Sequence, residues 1–174
     1  MKQMILLTGF LMLCLFSMAQ GKYAGAQSNL IGTQYVDSRQ IPKLKGWEFR
    51  EGSLVTGVDD PTVITVDVWK KGKIWIAFFS VKDDSYRMKE DSTGNPFTIV
   101  DVIEIKTLLP GYIIVTGLCR VNEESDPTVV ATVKWVPEKE ILKPVKQAWK
   151  FDRDKLRILA IPTKNVDCVS EGGD

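Results

Sequence analysis

The chain has 174 residues, with 23 lysines and arginines against 22 aspartates and glutamates, and it has no histidine. The lack of histidine excludes Ser-His-Asp and Cys-His hydrolysis, zinc sites built on histidine and pH switches based on imidazole. The near-zero net charge lacks the basic excess that is typical of nucleic-acid binders, so no nucleic acid is expected as a partner.

Residues 1–19 predict a cleavable secretory signal. Lys2 precedes an apolar run over residues 4–16, and Ser17 and Ala19 place small residues at the two positions that signal peptidase inspects. The run is shorter than the roughly 18 to 20 residues that a membrane-spanning helix needs. We therefore expect a cut after Ala19, a secreted or periplasmic protein, and no membrane anchor after cleavage.

Residues 20–45 are rich in Gly, Ala, Ser, Gln and Asn and show little hydrophobic periodicity. This composition predicts a loosely structured lead-in with one short strand near residues 33–36. The small residues at 24–26 offer a second site for signal cleavage.

The stretch 62–80 predicts a β-hairpin, because two β-branched and aromatic runs flank a Lys-Lys-Gly-Lys turn. A three-residue loop over 70–72 would oppose Val68 to Ile74 and make every pair on that face apolar. A two-residue loop shifts the register and mixes the two faces, so the three-residue loop is favoured. It requires a positive φ at Gly72.

The rest of the mature chain continues the pattern of short strands and polar turns. A helical turn is predicted at 137–144, and a disordered tail at 169–174. Strands are predicted at 52–58, 86–89, 97–106, 112–121, 129–135, 145–151 and 156–161. Together with the hairpin they predict one all-β domain over 46–168, with eight to nine antiparallel strands in a meander-like barrel. A two-sheet β-sandwich is the alternative.

The layout of this predicted barrel resembles that of lipocalins. Gly46 and Trp47 come early, and Cys168 comes late enough to reach back to a middle strand. Lipocalins carry Gly-x-Trp at the first strand, whereas the two residues are adjacent here. The resemblance extends to the layout alone, because the other short motifs of lipocalins are not matched.

The mature chain has two cysteines, since Cys14 is removed with the signal. Export to an oxidising compartment predicts a disulfide between Cys119 and Cys168, with two free thiols as the alternative. The bond would place their Cα atoms about 4.4 to 6.8 Å apart. In the chain-entropy model it would add about 4 kcal/mol to the free energy of unfolding.

The candidates for catalysis are carboxylates inside predicted strands. Asp101 keeps phase with Ile99 and Ile103, and a carboxyl on an interior face is the type of group that acts as a general acid. The alternative is that Asp101 is solvated or bonds a neighbouring strand. Asp67 is the second such residue, predicted to lie across from Trp75 on the less apolar face of the hairpin.

The acidic turns at 59–60, 83–84 and 123–126 lack the spacing of a calcium loop, so no metal site is predicted. The phosphate-binding patterns GxxxxGK and GxGxxG are both missing, and no cofactor is expected.

Four large aromatic residues in predicted strands are the candidates for ligand binding: Trp69, Trp75, Phe79 and Trp135. In the predicted register Trp75 and Phe79 share one face of the hairpin. Such residues stack on sugar rings or on partner proteins. The alternative is ordinary packing in the core.

The sequence thus predicts an exported, non-catalytic binding module that holds a small apolar ligand, a glycan or an envelope partner protein. It would do so through a tryptophan-bearing β face or a barrel cavity. The alternatives are a secreted carboxylate-based hydrolase of polysaccharide and a structural envelope subunit whose strand edges pair with a neighbour.

Overall fold

The fold is known from a computed structural model, which describes residues 28–56, 62–82 and 96–170. These ranges hold three 3₁₀ turns, at Ser28–Leu30, Ser38–Gln40 and Pro42–Leu44. Their strands are β1 (Gln34–Tyr35), β2 (Glu48–Leu54), β3 (Ile64–Lys71), β4 (Ile74–Lys82), β5 (Phe97–Ile105), β6 (Tyr112–Thr116), β7 (Cys119–Val121), β8 (Glu124–Ser125), β9 (Val129–Lys134), β10 (Ile141–Leu142), β11 (Val145–Asp152), β12 (Arg157–Ala160) and β13 (Val166–Val169). The predicted strand at 86–89 and the signal at 1–19 lie outside the described residues.

The strands form three antiparallel sheets, which confirms the all-β prediction. Sheet A has the order β1-β5-β4-β3-β2, so β2 to β5 form a meander. Sheet B has the order β12-β11-β9-β6, and sheet C the order β10-β13-β7-β8. The predicted strand at 112–121 is split in two, because Gly117 takes a φ of +71° between β6 and β7. The two halves belong to different sheets.

Sheets A and B pack face to face around the main hydrophobic core. Phe79 of β4 stacks on Phe151 of β11 with ring centroids 4.7 Å apart. Val66 and Ile103 of sheet A and Trp149 of sheet B are buried in the same cluster. The second face of sheet B packs on sheet C, where Val129, Ala131 and Val133 meet Leu142 and Val166.

Side-chain hydrogen bonds join sheets A and B along both edges. At one edge the Glu51 carboxylate accepts hydrogen bonds from the N–H and hydroxyl of Thr116, whose hydroxyl lies 2.8 Å from that of Ser53. At the other edge the Asp101 carboxylate accepts a 2.6 Å bond from the N–H of Ile158. Eight strands therefore surround the core in the order β2-β3-β4-β5-β12-β11-β9-β6. The arrangement combines the predicted barrel with its alternative, the sandwich.

The described part of the lead-in, residues 28–45, packs on the outer face of sheet A rather than being loosely held. Leu30, Ile41 and Leu44 are buried there against Phe78 and other residues of the sheet. The segment is polar on average, but three of its large apolar residues are buried on the sheet, whereas Ile31 and Val36 remain exposed. The short strand expected near residues 33–36 is β1, which pairs with β5.

The predicted register of the central hairpin is wrong. Lys71 pairs with Ile74 and Val68 with Ala77, so the loop has two residues, Gly72 and Lys73. Gly72 has the predicted positive φ, at +61°, but it is the first residue of the loop, as type II′ turns require. Because the lead-in covers the outer face of sheet A, both faces of the hairpin are apolar. The pattern of apolar residues therefore does not distinguish the two registers.

Sheet C holds the predicted disulfide. Cys119 of β7 and Cys168 of β13 are direct cross-strand partners, with their sulfur atoms 2.05 Å apart. Their Cα atoms are 3.9 Å apart, which is below the predicted range of about 4.4 to 6.8 Å. The Val169 end of the predicted tail belongs to β13, and residues 171–174 lie outside the described ranges.

The helical turn predicted at 137–144 is absent from the structure. Strand β10 lies there instead and pairs with β13, so that Leu142 is opposite Cys168. Beside this pair, Asp167 forms salt bridges with Arg120 at 2.6 Å and Lys143 at 3.0 Å.

Candidate functional site

Asp101, the predicted catalytic candidate, takes part in the connection between the sheets. One carboxylate oxygen accepts the N–H of Ile158 and the other accepts the N–H of Val102, at 2.9 Å. A bulge in β5 next to Asp101 places Ile99 in the outer cluster and Ile103 in the inner one. The predicted common face of these three residues therefore does not exist.

The four aromatic candidates do not share one face. Trp69 is buried under the lead-in on the outer side of sheet A, where it meets Phe49 edge to face at 5.3 Å. Phe79 is fully buried between the sheets. Only Trp75 and Trp135 among the four are not buried, and they are apart: Trp75 lies on β4, and Trp135 follows the end of β9.

Trp75 is half-buried, and two cations lie over its ring. The Arg50 guanidinium carbon is 5.6 Å and the Lys70 Nζ 5.1 Å from the ring centroid. Trp135 is 41% exposed and borders a recess of about 250 Å³ together with Leu118, Leu142 and Glu51.

An open cleft on the outer side of sheet A, called the Asp67 cleft below, combines aromatic and charged side chains. Its volume is about 410 Å³, within the usual range for small-molecule sites. The side chains that define its chemistry are Tyr35, Asp37, Arg39, Phe49, Asp67 and Phe97. The segment between β1 and the second 3₁₀ turn forms one wall, and β2 and β3 form the floor.

Asp67 is the buried carboxylate of this cleft, with 9% of its surface exposed. The Tyr35 hydroxyl donates a 3.2 Å hydrogen bond to its Oδ2 atom. Burial raises the pKa of Asp67, and hydrogen bonds from Ser38 and Tyr35 oppose that shift. The negative charge of Asp37 raises it further. The carboxyl group is therefore held closer to its neutral form than an exposed aspartate.

Tyr35 stays protonated beside this carboxylate. Burial is the main reason that the pKa of its hydroxyl is raised, and the negative charge of Asp67 adds to the effect. Its ring stacks on Phe97 with centroids 5.9 Å apart and meets Phe78 edge to face at 6.2 Å. These contacts fix the hydroxyl that donates to Asp67.

Gly52 of β2 keeps the approach to Asp67 open. It is the cross-strand partner of Asp67, and a Cβ atom on it would lie 2.7 Å from Asp67 Oδ1 and 3.2 Å from the Phe49 ring. Any side chain at this position would displace the carboxylate or the aromatic wall. The absence of a side chain thus creates the space beside Oδ1.

Arg39 supplies a positive charge at the rim of the cleft. Its guanidinium carbon lies 5.1 Å from the centroid of Phe49, and its backbone N–H donates to the Asp37 carboxylate at 2.9 Å. Aspartate at the N-cap of the 3₁₀ turn holds Arg39 in place. The cleft therefore offers hydrogen-bond acceptors, a cationic donor and flat aromatic surfaces.

The sequence singled out Asp67 but not its partners. The sequence predicts a loosely held lead-in, so it does not indicate Tyr35, Asp37 and Arg39 as site residues. One signal was present, since Asp-Ser after a short strand is a common start for a capped turn. It does not indicate which sheet face the turn covers.

None of the helices in the described ranges is long and apolar enough to cross a bilayer. Within the same ranges no cluster of three or more aspartate, glutamate or cysteine side chains is suited to hold a metal ion. No family model, curated protein or solved structure matches the chain.

Proposed function

We propose that the protein is an exported, non-catalytic binding module that holds a glycan in the Asp67 cleft. The observation that carries the proposal is a buried carboxylate, Asp67, at the floor of an open cleft with aromatic walls. Export is supported by the predicted signal at 1–19 and by the Cys119–Cys168 disulfide, which fits an oxidising compartment.

A sugar matches the chemistry of the cleft on three counts. Its hydroxyl groups donate to carboxylates such as Asp67 and Asp37 and accept from the Arg39 guanidinium. The flat C–H face of a pyranose ring stacks on aromatic side chains such as Phe49 and Phe97. An apolar ligand would displace water from the cleft and leave Asp67 with the Tyr35 and Ser38 hydroxyls alone as partners, which is costly for a carboxylate.

The test is a titration of ¹⁵N-labelled protein with short oligosaccharides, one series each of neutral, N-acetylated and amino sugars. A ligand should shift the backbone amides of residues 35–39, 52–54 and 65–67. Asp67→Ala should abolish the shifts. Asp152→Asn is the matched control, because this aspartate lies in the β11–β12 turn and outside the cleft. Shifts confined to other residues would contradict the proposal.

A second candidate function, a carboxylate-based hydrolase, is favoured by the presence of two carboxylates, Asp67 and Asp37, in the lining of one cleft. Glycosidases use one carboxyl group that keeps its proton and a second that is ionised. Asp67, with its raised pKa, would be the acid, and Asp37 the second group. Asp67→Asn should then abolish release of reducing ends from a polysaccharide while the amide shifts persist. Equal absence of turnover in wild type and variant supports the binding module.

A further inference from the structure

The β3–β4 turn and the end of β5 form a basic surface at one end of sheet A. The register places them together, because Lys71 pairs with Ile74, and Trp75 pairs with both Lys70 and Ile105. Lys106 follows Ile105 directly. The residues of this hairpin surface are Lys70, Lys71, Lys73, Ile74, Trp75 and Lys106.

Its positive charge is largely uncompensated. Lys71, Lys73 and Lys106 are exposed and form no ion pair within the residues that the structure describes. Of the acidic residues at this end, Glu48 is the cross-strand partner of Lys70 and forms a salt bridge with Arg50, and Glu104 is the cross-strand partner of Ile76. A chain with almost no net charge thus concentrates lysines at one end.

An apolar side chain projects between these lysines. Ile74 is 40% exposed at the turn, and Trp75, the next residue, faces the other side of β4, where it is half-buried against the inner cluster. Arg50 and Lys70 lie over the Trp75 ring at this end of the sheet. Leu109, also 40% exposed, lies in the connection that leaves β5 at the same end. Ile74 is therefore an apolar side chain that is accessible at the surface beside the lysines.

We propose that the hairpin surface docks the protein on an anionic lipid surface. Lys71, Lys73 and Lys106 would contact headgroup phosphates, and Ile74 would enter the boundary between headgroups and acyl chains. Trp75 would lie at the depth that tryptophan prefers in membrane interfaces. A soluble polyanion would use the lysines but would leave Ile74 in water, so the exposed isoleucine favours lipid.

Flotation of the full protein with lipid vesicles tests the proposal. Binding is expected to phosphatidylcholine vesicles that contain phosphatidylglycerol, and not to phosphatidylcholine alone. Each lysine near the surface adds about fivefold to the affinity, so Lys71→Ala with Lys73→Ala should weaken binding by about 25-fold. Lys155→Ala with Lys164→Ala removes two exposed lysines outside the hairpin surface and should have little effect.

Ile74→Ser separates lipid from other polyanions. It keeps every charge, and it should weaken vesicle binding most at about 0.5 M salt, where electrostatic attraction is screened. The proposal is overturned if Ile74→Ser binds vesicles as well as wild type does and heparin competes fully for the surface. That result would assign the surface to soluble polyanions. Unchanged binding of the Lys71 and Lys73 double variant would overturn it as well. The experiment does not involve the Asp67 cleft.

Discussion

The Asp101 carboxylate accepts a 2.6 Å hydrogen bond from the backbone N–H of Ile158, and this bond connects β5 of sheet A to β12 of sheet B. Its other oxygen is bonded to the N–H of Val102. The carboxylate thus accepts hydrogen bonds from two backbone N–H groups at the edge of the sheet. It connects β5 and β12 where, within the described residues, no backbone hydrogen bonds between strands do so. Asp101 therefore stabilises the contact between the sheets.

Replacing Asp101 by alanine should lower the free energy of unfolding by about 1 to 3 kcal/mol, because it removes a charge-assisted bond and leaves the Ile158 N–H without its acceptor. Asp101→Asn keeps one acceptor oxygen and should cost less. Urea unfolding followed by circular dichroism measures both. An alanine variant as stable as wild type would contradict this account of the sheet edge.

Gly72→Ala should destabilise the protein by roughly 1 kcal/mol. Gly72 has a φ of +61°, and a Cβ atom there meets nothing within 4 Å, so the cost comes from the backbone conformation alone. Lys73→Ala, at the second position of the same loop, is the control and should change the stability little. If both variants unfold at the urea concentration of wild type, the positive φ at Gly72 is wrong.

The sequence located most of the longer strands, missed β8, β10 and β13, and gave the wrong register for the central hairpin. Alternation over 97–106 and 129–135 located β5 and β9 because one period-2 pattern is enough to indicate a strand. Register needs a difference between two faces, and the hairpin of β3 and β4 has none, since Phe78 is buried on one face and Phe79 on the other. Phe78 is buried by the lead-in, residues 28–45, which has no apolar periodicity in its sequence.

Of the residues in the candidate site, the sequence indicated Asp67 alone. Asp67 is recognisable as a carboxylate within an apolar strand, but its burial depends on Tyr35, which is 32 positions away and reaches it from a two-residue strand. Asp101 has the same sequence signature and a different role, because a bulge in β5 changes the direction of its neighbours. Contacts of this kind arise from tertiary packing and leave no local pattern.

Removing the disulfide should cost about 4 kcal/mol. Cys119 and Cys168 are 49 positions apart, and the chain-entropy model gives a stabilisation of this size for a loop of that length. Urea unfolding of the double variant Cys119→Ala with Cys168→Ala beside wild type measures this loss of stability.

The presence of the bond is tested separately. Alkylation of unreduced protein followed by mass spectrometry should find one cross-linked peptide. Two alkylated cysteines in that experiment would show that the bond does not form in the exported protein.

Asp67 should make the protein less stable as the pH rises. Since its pKa in the folded state is raised, the native protein holds more protons than the unfolded chain from about pH 4 up to the raised value. The contribution of Asp67 to the free energy of unfolding falls across that window. Asp67→Asn removes the titration and keeps an acceptor for Tyr35, so the variant should gain stability relative to wild type as the pH increases above about 4.

Asp167 provides the control with the opposite sign. Its hydrogen bond from Arg120 is the main reason that its pKa is lowered, and Lys143 adds to the shift. The stability that it contributes is present above the ordinary aspartate pKa and is lost as the pH falls through the lowered value. Asp167→Asn should therefore lose stability relative to wild type as the pH rises. Urea titrations of both variants and wild type between about pH 3 and pH 7 measure these differences in the free energy of unfolding. If the differences for the two variants change with pH in the same direction, the pKa of Asp67 is not raised.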